Sequence, residues 1–253
     1  MSETPQVELP LDEISLFVDA DGTLLDISLR PEYAQASRAL LTVLHDLYYA
    51  LGGALAIVSG RRIEDIDRLF APLRLPASGI HGAQMRIAAD GDIIDGGAPD
   101  ISAHFASLVT AVAARHPGAF VEDKGKALAV HWRAAPQAEQ PLRTELAEIV
   151  ESFAPQLAIL SGHCVYEIKS AGATKGDAVR AFMELPPFAG RSPIFVGDDI
   201  TDIAGIAAAK ALGGRAFSVG QTLEGADAVF ASPQDVRAWL GRLVGMSPEA
   251  KRA

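Results

Sequence analysis

The sequence predicts an α/β fold in which a parallel sheet, covered by helices, is interrupted by a smaller inserted α/β domain. Short apolar runs alternate with helical patterns over the first 83 residues, and the same alternation resumes after Gly172. The stretch between them shows hairpin signals instead, which are typical of antiparallel pairing. Together these observations indicate one core that the chain leaves and re-enters.

The first part of the core begins with a strand at residues 16–19 and continues with a second strand at residues 54–60, both of them short apolar runs. Pro31 is expected to open the helix between them, because proline lacks an N–H group that the first helical turn would leave unused. A further strand should end near Gly79 and Ile80. The apolar positions that predict the two helices are Leu40, Leu44, Leu47 and Leu51, and then Ile63, Ile66, Leu69 and Phe70.

The middle of the chain predicts two units of the ββα type. Residues 85–95 should form a hairpin that turns at Asp90-Gly91, followed by a helix from Asp100 to about His116. Residues 119–133 contain two strand-like stretches, and a second hairpin over 157–169 should turn at Ser161-Gly162. The helix between them is predicted from Leu142, Leu146, Ile149 and Phe153.

The core resumes with a helix that Thr174 can cap and a buried strand at residues 193–197. Strands near 215–219 and 227–231 and a last helix through Trp239 complete it. The predicted domain boundaries are 1–83 for the first part of the core, 84–168 for the insertion and 169–253 for the second part of the core.

Composition excludes several classes of protein. The chain has 253 residues and a formal net charge of −10, whereas proteins that bind nucleic acid usually present a basic face. No apolar run approaches the roughly 18 residues of a membrane span, and the acidic N-terminal segment does not resemble a signal peptide. One cysteine, Cys164, cannot form an internal disulfide. We therefore expect a cytoplasmic protein that binds neither nucleic acid nor membranes.

Two carboxylates, Asp19 and Asp21, follow the first predicted strand, and Gly22 lets the chain turn there. Ligands of open α/β sheets bind at the carboxyl ends of the strands. One carboxylate can attack phosphorus while the other transfers a proton, and both can help to hold a hard cation. An Asp-Gly pair is also a common turn, but its place directly after a buried strand favours a catalytic role.

Polar groups follow the second strand and open the helix after the insertion. The Ser59 hydroxyl and the N–H groups of Ser59-Gly60-Arg61 can bind a phosphate oxygen at the start of the next helix. Lys175 follows the expected helix cap Thr174 and can neutralise both a phosphate and Asp19. Alone, a Ser-Gly pair is an ordinary loop signal and a single lysine is most often solvated. Their positions beside strand ends favour function.

Three further carboxylates, Asp198, Asp199 and Asp202, follow the strand at residues 193–197. Acids so close together raise one another's pKa values unless a cation is bound. Mg²⁺ fits such a site because it takes one or two carboxylates together with phosphate and water. Acids are also favoured at the start of a helix. We expect Asp198 to be a metal ligand and Asp199 to be a possible one, and we assign Asp202 to the helix cap or to the surroundings of the ligands.

Taken in order, these segments resemble the four signatures of the haloacid dehalogenase-like phosphatases, which implies a Rossmann-like core with an inserted cap domain. Between about residues 14 and 243 the chain also resembles the trehalose-6-phosphate phosphatases. Two residues depart from that pattern: Ala20 replaces a larger residue, and Ile203 stands where many relatives have Glu, so no role of that Glu is carried over to this chain. The segments that carry the resemblance are SGR at 59–61, GIHGA at 79–83, VEDKGKALAVHWR at 121–133, VYEIKSAGATKG at 165–176 and FVGDDITD at 195–202.

The resemblance implies that the chain hydrolyses trehalose 6-phosphate in trehalose biosynthesis. Asp19 would be the nucleophile and would form an aspartyl-phosphate, while Asp21 would protonate the leaving sugar oxygen and then deprotonate water. Ser59 and Lys175 would bind phosphoryl oxygens, and Mg²⁺ would be held by Asp19, the backbone carbonyl of Asp21, and Asp198. The residues expected to contact the phosphate end of the substrate are Asp19, Ala20, Asp21, Thr23, Ser59, Gly60 and Arg61.

The inserted domain would bind the sugar through four residues that match family signals in the insertion: Glu122, Lys124, Arg133 and Glu167. The alternative for these side chains is a solvated sheet face. Strand alternation predicts two faces for residues 126–133. One carries Lys126, Leu128, Val130 and Trp132, and the other carries Ala127, Ala129, His131 and Arg133.

Other functions remain open on the residues alone. A phosphatase of another sugar phosphate, of the sucrose-phosphate or mannosyl-phosphoglycerate type, would use a similar core. A phosphomutase would return the phosphoryl group to the sugar, and a non-catalytic sensor would be expected to have lost Asp19, Asp21 or Asp198, which are all present. We expect a monomer whose partner is a small-molecule sugar phosphate.

Overall fold

The computed structural model describes residues 10–27, 35–154, 156–162 and 164–245. The chain divides into two compact units, one made of residues 1–96 and 174–253 and the other of residues 97–173. Both contain a sheet with helices, which confirms the predicted α/β fold. None of the helices in the described ranges has both the length and the apolar character that a bilayer crossing demands.

The described residues form twelve strands and seven α-helices. The strands are β1 (Ile14–Val18), β2 (Leu55–Val58), β3 (Ala77–Gly79), β4 (Gln84–Arg86), β5 (Ile94–Asp95), β6 (Phe120–Asp123), β7 (Ala127–His131), β8 (Leu157–Gly162), β9 (Val165–Ser170), β10 (Ser192–Gly197), β11 (Arg215–Val219) and β12 (Ala228–Phe230). The helices are α1 (Arg38–Ala50), α2 (Ile63–Phe70), α3 (Ala103–Ala113), α4 (Glu139–Phe153), α5 (Lys175–Met183), α6 (Ile203–Ala211) and α7 (Pro233–Gly245).

The larger unit contains a sheet in the order β12-β11-β10-β1-β2-β3-β4-β5. The strands from β12 to β3 run parallel, and β4 and β5 are antiparallel to their neighbours. β1 lies in the middle and all its residues are buried, as the apolar run predicts. Because these strands are parallel, the residues that follow β1, β2, β3 and β10 meet at one edge of the sheet.

Helices cover this sheet through the apolar positions that their spacing predicts. Leu40, Leu44 and Leu47 of α1 are buried, and the Ser37 hydroxyl caps the helix by accepting a hydrogen bond from the Leu40 N–H. Pro31, which was expected to open this helix, lies outside the described residues, and the helix itself begins at Arg38. At α5 the side chains of Thr174 and Asp177 form a capping box, which fixes where Lys175 begins the helix.

The predicted hairpin near residues 85–95 belongs to the core sheet and not to the insertion. β4 pairs with β3 from Gly79↔Gln84 to Ala77↔Arg86, and β5 then pairs with β4. The connection between β3 and β4 is a single tight turn over Ile80–Gly82, so the chain folds back onto the same sheet. The chain passes from one compact unit to the other at 96/97 and 173/174, whereas the sequence predicts boundaries at 83/84 and 168/169.

The smaller unit is an antiparallel sheet in the order β6-β7-β9-β8, with α3 and α4 on one face. Leu128, Val130 and Trp132 pack in the apolar cluster under these helices, which confirms the predicted alternation along β7. The other face carries Ala129 and His131, together with the residues that pair with them on β6 and β9.

Three local predictions in this unit were wrong. The helix predicted from Asp100 to about His116 is shorter, since Ser102 caps α3 and the helix ends at Ala113. Phe153 is exposed at the end of α4 and does not lie in the apolar cluster. Ser161-Gly162 does not form the turn, because both residues pair within the sheet and the register places Gly162 opposite Val165.

Candidate active site

Asp19 stands directly after β1 and is held by a lysine from another part of the chain. Lys175 Nζ lies 2.7 Å from Asp19 Oδ1 and 2.6 Å from Asp202 Oδ1. The Lys175 side chain is only 3% exposed and that of Asp202 is fully buried. Charge-assisted hydrogen bonds in such an environment are stronger than neutral ones. The first turn of α5 therefore places an ammonium group between two carboxylates at the end of β1.

Asp202 uses both of its oxygens within the protein. Oδ1 accepts a hydrogen bond from Lys175, and Oδ2 accepts the backbone N–H groups of Asp198 at 3.1 Å and of Asp199 at 3.0 Å. Asp202 thus closes the turn after β10 and takes part in the cap of the short helix that follows, which is one of the two roles predicted for it. Its contact with Lys175 was not predicted, because the sequence separates the two residues by the whole length of α5 and β10.

Asp198, the residue after β10, faces the segment that follows β1. Its Oδ1 accepts a hydrogen bond from the Thr23 hydroxyl at 3.1 Å, and its backbone carbonyl accepts one from Gln221 Nε2 at 2.8 Å. Gly22 has a φ of 82°, and a Cβ built on it would fall on the Asp198 carboxylate. The glycine is therefore required twice, for its backbone conformation and for the close approach of Asp198.

The carboxylates of Asp19, Asp198 and Asp202 form an acidic cluster, in which one ligand oxygen from each lies within 4.8 Å of the others. Burial raises the pKa of Asp19 well above the usual aspartate value; Lys175 opposes this, and Asp202 and Asp198 add to it. Burial and then Asp202 raise the pKa of Asp198 to about 6, although Lys175 and Thr23 act against them.

Lys175 cannot balance this negative charge alone. Burial disfavours its charged form, but Asp19 and Asp202 outweigh that effect and raise the pKa of Lys175 above the usual lysine value. One ammonium group beside three carboxylates leaves an excess of negative charge in a buried place. Oxygen ligands with excess negative charge fit a hard divalent cation such as Mg²⁺. Asp19 and Asp198 are the members whose oxygens suit such an ion, because Asp202 is engaged by Lys175 and two N–H groups.

Asp21 is held by an arginine from the loop after β2. Arg61 Nε lies 2.6 Å from Asp21 Oδ2, and Arg61 Nη2 lies 2.7 Å from Oδ1. The paired donors fix the orientation of the carboxylate, which a single contact would leave free to rotate. Arg61 was predicted as a phosphate contact, and in the structure its guanidinium is directed to Asp21. The Arg61 backbone N–H donates to the Ser59 hydroxyl at 3.2 Å.

The turn after β3 supports the loop of Ser59, Gly60 and Arg61. The N–H groups of Ile80 and His81 donate to the backbone carbonyls of Arg61 at 2.8 Å and Ser59 at 3.0 Å. Ile80 and His81 both have positive φ, at 49° and 53°, which non-glycine residues rarely adopt. The His81 ring packs so closely against Gly60 that a Cβ there would lie 2.5 Å from Nε2. Strained backbone of this kind often lies at functional sites.

In the smaller unit, three of the four predicted sugar-binding residues lie on one face of the sheet. Ala129 pairs with Glu122 on one side and with Glu167 on the other, so both carboxylates flank a small residue. Lys124 Nζ lies 2.5 Å from Glu167 Oε1. Glu122 Oε2 lies 3.0 Å from His131 Nε2, and this hydrogen bond is the main reason why the pKa of Glu122 is lowered.

The fourth, Arg133, lies in the turn that follows β7, two residues beyond His131. The structure thus brings Glu122, Lys124 and Glu167 together, and it places Arg133 beyond the opposite end of β7 from Lys124. On the core side it brings together Asp19, Lys175, Asp198 and Thr23, and separately Asp21 and Arg61. His131 and Phe120 were not predicted to be functional. Phe120 lies two residues before Glu122 on β6, and only the register of β6 and β7 brings His131 to both of them.

Comparisons with known proteins show which family the chain resembles. The family model described as trehalose-phosphatase matches residues 17–209. The trehalose-6-phosphate phosphatase of Escherichia coli K12 is 40% identical over 244 residues, which cover 95% of this chain and 89% of the relative. A probable trehalose-phosphate phosphatase of Sinorhizobium fredii is 40% identical over 88% of this chain and 84% of its own length.

Solved structures support the fold. The C-terminal domain of Candida albicans trehalose-6-phosphate phosphatase has a TM-score of 0.82 and 21% identity, covering 96% of this chain and 99% of that one. A phosphatase of the haloalkanoate (HAD) superfamily from Bacteroides thetaiotaomicron has a TM-score of 0.62 and 18% identity, covering 96% of this chain and 99% of that one. The chain therefore shares the fold of these solved structures. The family-model match and the two relatives at 40% identity show that the chain belongs to the trehalose-phosphatase family.

Proposed function

We propose that this chain hydrolyses trehalose 6-phosphate to trehalose and inorganic phosphate, as a step of trehalose biosynthesis. The observation that carries the proposal is the pairing of Asp19 with Lys175 at the carboxyl end of β1, beside Asp198. A carboxylate there is a nucleophile, and the ammonium group and a cation can neutralise the phosphate that approaches it. Membership of the family supports the choice of substrate.

The reaction passes through a covalent intermediate on Asp19. A carboxylate oxygen of Asp19 attacks phosphorus, and the bond between phosphorus and the sugar oxygen breaks as the new bond forms. Asp21 gives its proton to the departing sugar oxygen. A water molecule then attacks the aspartyl-phosphate, Asp21 takes one of its protons, and Asp19 is released with inorganic phosphate. Such transfer depends mainly on positioning and electrostatics.

The remaining core residues hold the phosphoryl group. Lys175 is fixed by Asp19 and Asp202 and presents its charge to the phosphoryl oxygens. The Ser59 hydroxyl binds the same oxygens, together with the N–H groups of Gly60 and of the segment around Ala20 and Thr23. A bound Mg²⁺ would be held by Asp19, the Asp21 backbone carbonyl and Asp198, and it would stabilise charge on the transferring group. Asp199 shapes the turn after β10.

The sugar is bound by the face of the smaller unit that carries Glu122, Lys124 and Glu167, with Arg133 beside it. Sugar hydroxyls both donate and accept hydrogen bonds, so carboxylates and cations held in fixed pairs suit them. We place the activity in the cytoplasm, in a monomer. The free thiol of Cys164 is compatible with a reducing compartment.

Release of inorganic phosphate tests this function. The chain is incubated with trehalose 6-phosphate, sucrose 6-phosphate, mannosyl-phosphoglycerate and glucose 6-phosphate, with and without Mg²⁺. We expect the highest kcat/KM with trehalose 6-phosphate and none of that activity in excess chelator. A higher kcat/KM with another sugar phosphate would show that this compound, and not trehalose 6-phosphate, is the preferred substrate. Transfer of the phosphoryl group to a second position on the sugar would indicate a mutase, and binding without turnover would indicate a sensor.

A further inference from the structure

Two aromatic rings are stacked on the sheet face that carries Glu122. Phe120 on β6 lies directly opposite His131 on β7, and their ring centroids are 4.6 Å apart with planes inclined by 15°. β6 is an edge strand of its sheet, and Phe120 is 59% exposed. A single exposed phenylalanine is ordinary, so the exposure alone indicates nothing. The arrangement of its neighbours is what indicates a site.

The stacked pair is anchored to a predicted sugar-binding residue. His131 Nε2 lies 3.0 Å from Glu122 Oε2, so the imidazole cannot rotate away from Phe120 without losing that bond. Phe120 and Glu122 are two residues apart on β6 and therefore point to the same face. A flat ring and a fixed carboxylate acceptor consequently stand side by side.

This combination suits one chemical class of ligand. A pyranose ring has hydroxyl groups around its rim and a face made of C–H groups. The face of an aromatic ring carries partial negative charge, which attracts such weakly positive hydrogens, and the ring removes apolar surface from water. A carboxylate beside it can accept hydrogen bonds from the hydroxyls on the rim. An anionic group alone, such as a phosphate, would gain nothing from Phe120.

We propose that Phe120, stacked on His131, is the platform on which one pyranose ring of the substrate lies while Glu122 binds the hydroxyls of that ring. The inference rests on the proposed function, since it assigns part of the binding of its sugar. It makes Phe120 a specificity-determining residue and His131 a positioning residue that orients both Phe120 and Glu122.

The same unit contains a matched control. Phe153 is 58% exposed and contacts a histidine, His104, at a centroid distance of 6.2 Å with an interplanar angle of 73°. That pair lies on α4 and α3, which cover the other side of the sheet. Phe120→Ala and Phe153→Ala therefore remove the same side chain, at nearly equal exposure, from the two sides of one unit.

The experiment measures kcat and KM for trehalose 6-phosphate and for p-nitrophenyl phosphate, together with inhibition by trehalose. Phe120→Ala should raise KM for the sugar phosphate, and the inhibition constant of trehalose, by about threefold to tenfold, as expected for loss of one aromatic contact. The aryl phosphate should be affected far less, because it has no sugar. Phe120→Tyr, which keeps an aromatic face, should shift these constants less than Phe120→Leu, whose losses should approach those of Phe120→Ala. Phe153→Ala should match the parent.

Equal KM and trehalose inhibition in the parent and in folded Phe120→Ala or Phe120→Leu would overturn the platform, as would equal losses in Phe153→Ala. These results would leave the proposed function intact, since the parent would still hydrolyse trehalose 6-phosphate. If the parent did not hydrolyse that substrate, the proposed function itself would fail. The two failures are therefore distinguishable in one set of measurements.

Discussion

Arg61 binds both carboxylate oxygens of Asp21, with Nε 2.6 Å from Oδ2 and Nη2 2.7 Å from Oδ1. The planar guanidinium matches the carboxylate in a way that a lysine ammonium cannot. Since Arg61 belongs to the loop after β2 and Asp21 to the loop after β1, the pair links two strand ends of the candidate site. In the proposed mechanism Asp21 transfers the proton, and Arg61 would orient Asp21 in its ionised state, in which both carboxylate oxygens accept hydrogen bonds.

The first prediction concerns this pair. Arg61→Ala should lower kcat for trehalose 6-phosphate by about tenfold to a hundredfold, because Asp21 loses its fixed orientation. General acid–base catalysis contributes a factor of roughly 10²–10⁴ to the reaction rate. The kcat of Arg61→Lys should fall between those of Arg61→Ala and the parent. Asp21→Asn should show the largest loss of kcat. Steady-state kinetics on folded variants decide the matter. An Arg61→Ala enzyme with the parent's kcat would show that Asp21 needs no such partner.

The second prediction concerns the buried lysine. Lys175→Met leaves the carboxylates of Asp19 and Asp202 without a counter-charge, which for a broken buried pair costs about 3–5 kcal/mol in the free energy of unfolding. Asp202→Asn alone should also destabilise the protein. Because the two side chains are in contact, the double variant should lose less stability than the two single losses added together. Urea unfolding without divalent cations measures the free energy of unfolding of the two single variants and the double variant. Strict additivity of the losses would contradict the pairing.

The third prediction concerns the cation. Mg²⁺ should raise the unfolding temperature of the parent, since an ion that binds only the folded state stabilises it by about 2.7 kcal/mol at a hundred times its Kd. Asp198→Ala should lose this effect. Asp199→Ala is the matched control, because Asp198 belongs to the acidic cluster with Asp19 and Asp202 and Asp199 does not. Loss of the Mg²⁺ effect in Asp199→Ala, with Asp198→Ala unchanged, would reassign the ligand.

The fourth prediction concerns the sugar. Glu122→Ala and Arg133→Ala should reduce kcat/KM for trehalose 6-phosphate far more than for p-nitrophenyl phosphate, because a substrate hydroxyl left without its partner costs about 1–3 kcal/mol. Glu145→Ala is a suitable control, since Glu145 on α4 also pairs with a histidine, His116, at 3.1 Å. Equal proportional losses on both substrates would remove the reason for assigning the sugar to this face.

Much of the site was predictable because it follows directly from local patterns. Asp19, Ser59 and Asp198 each come straight after a buried apolar run, and parallel strands bring such residues to one edge. Lys175 was predictable from the helix cap at Thr174. The predicted fold of the core followed from the same alternation of strands and helices.

The rest depends on contacts that no local pattern contains. The strand β4 has the same local signals whether it pairs with the core or with the insertion, and only its short connection to β3 decides between them. The turn at Ser161-Gly162 was misplaced for a similar reason, since those residues also fit a strand end. The stacking of Phe120 on His131 and the pairing of Arg61 with Asp21 arise from strand register and side-chain direction, which the structure supplies.

The central claim is that Asp19 attacks the phosphate, and trapping the intermediate tests it most directly. Parent enzyme is mixed with trehalose 6-phosphate and Mg²⁺, quenched in acid during turnover, digested and analysed by mass spectrometry, with Asp19→Asn treated in parallel. We predict one phosphoryl group on the peptide that contains Asp19, and neither that group nor significant phosphate release from a folded Asp19→Asn variant. Turnover by Asp19→Asn at a rate comparable to the parent, or a phosphoryl group on another residue in its place, would contradict the account.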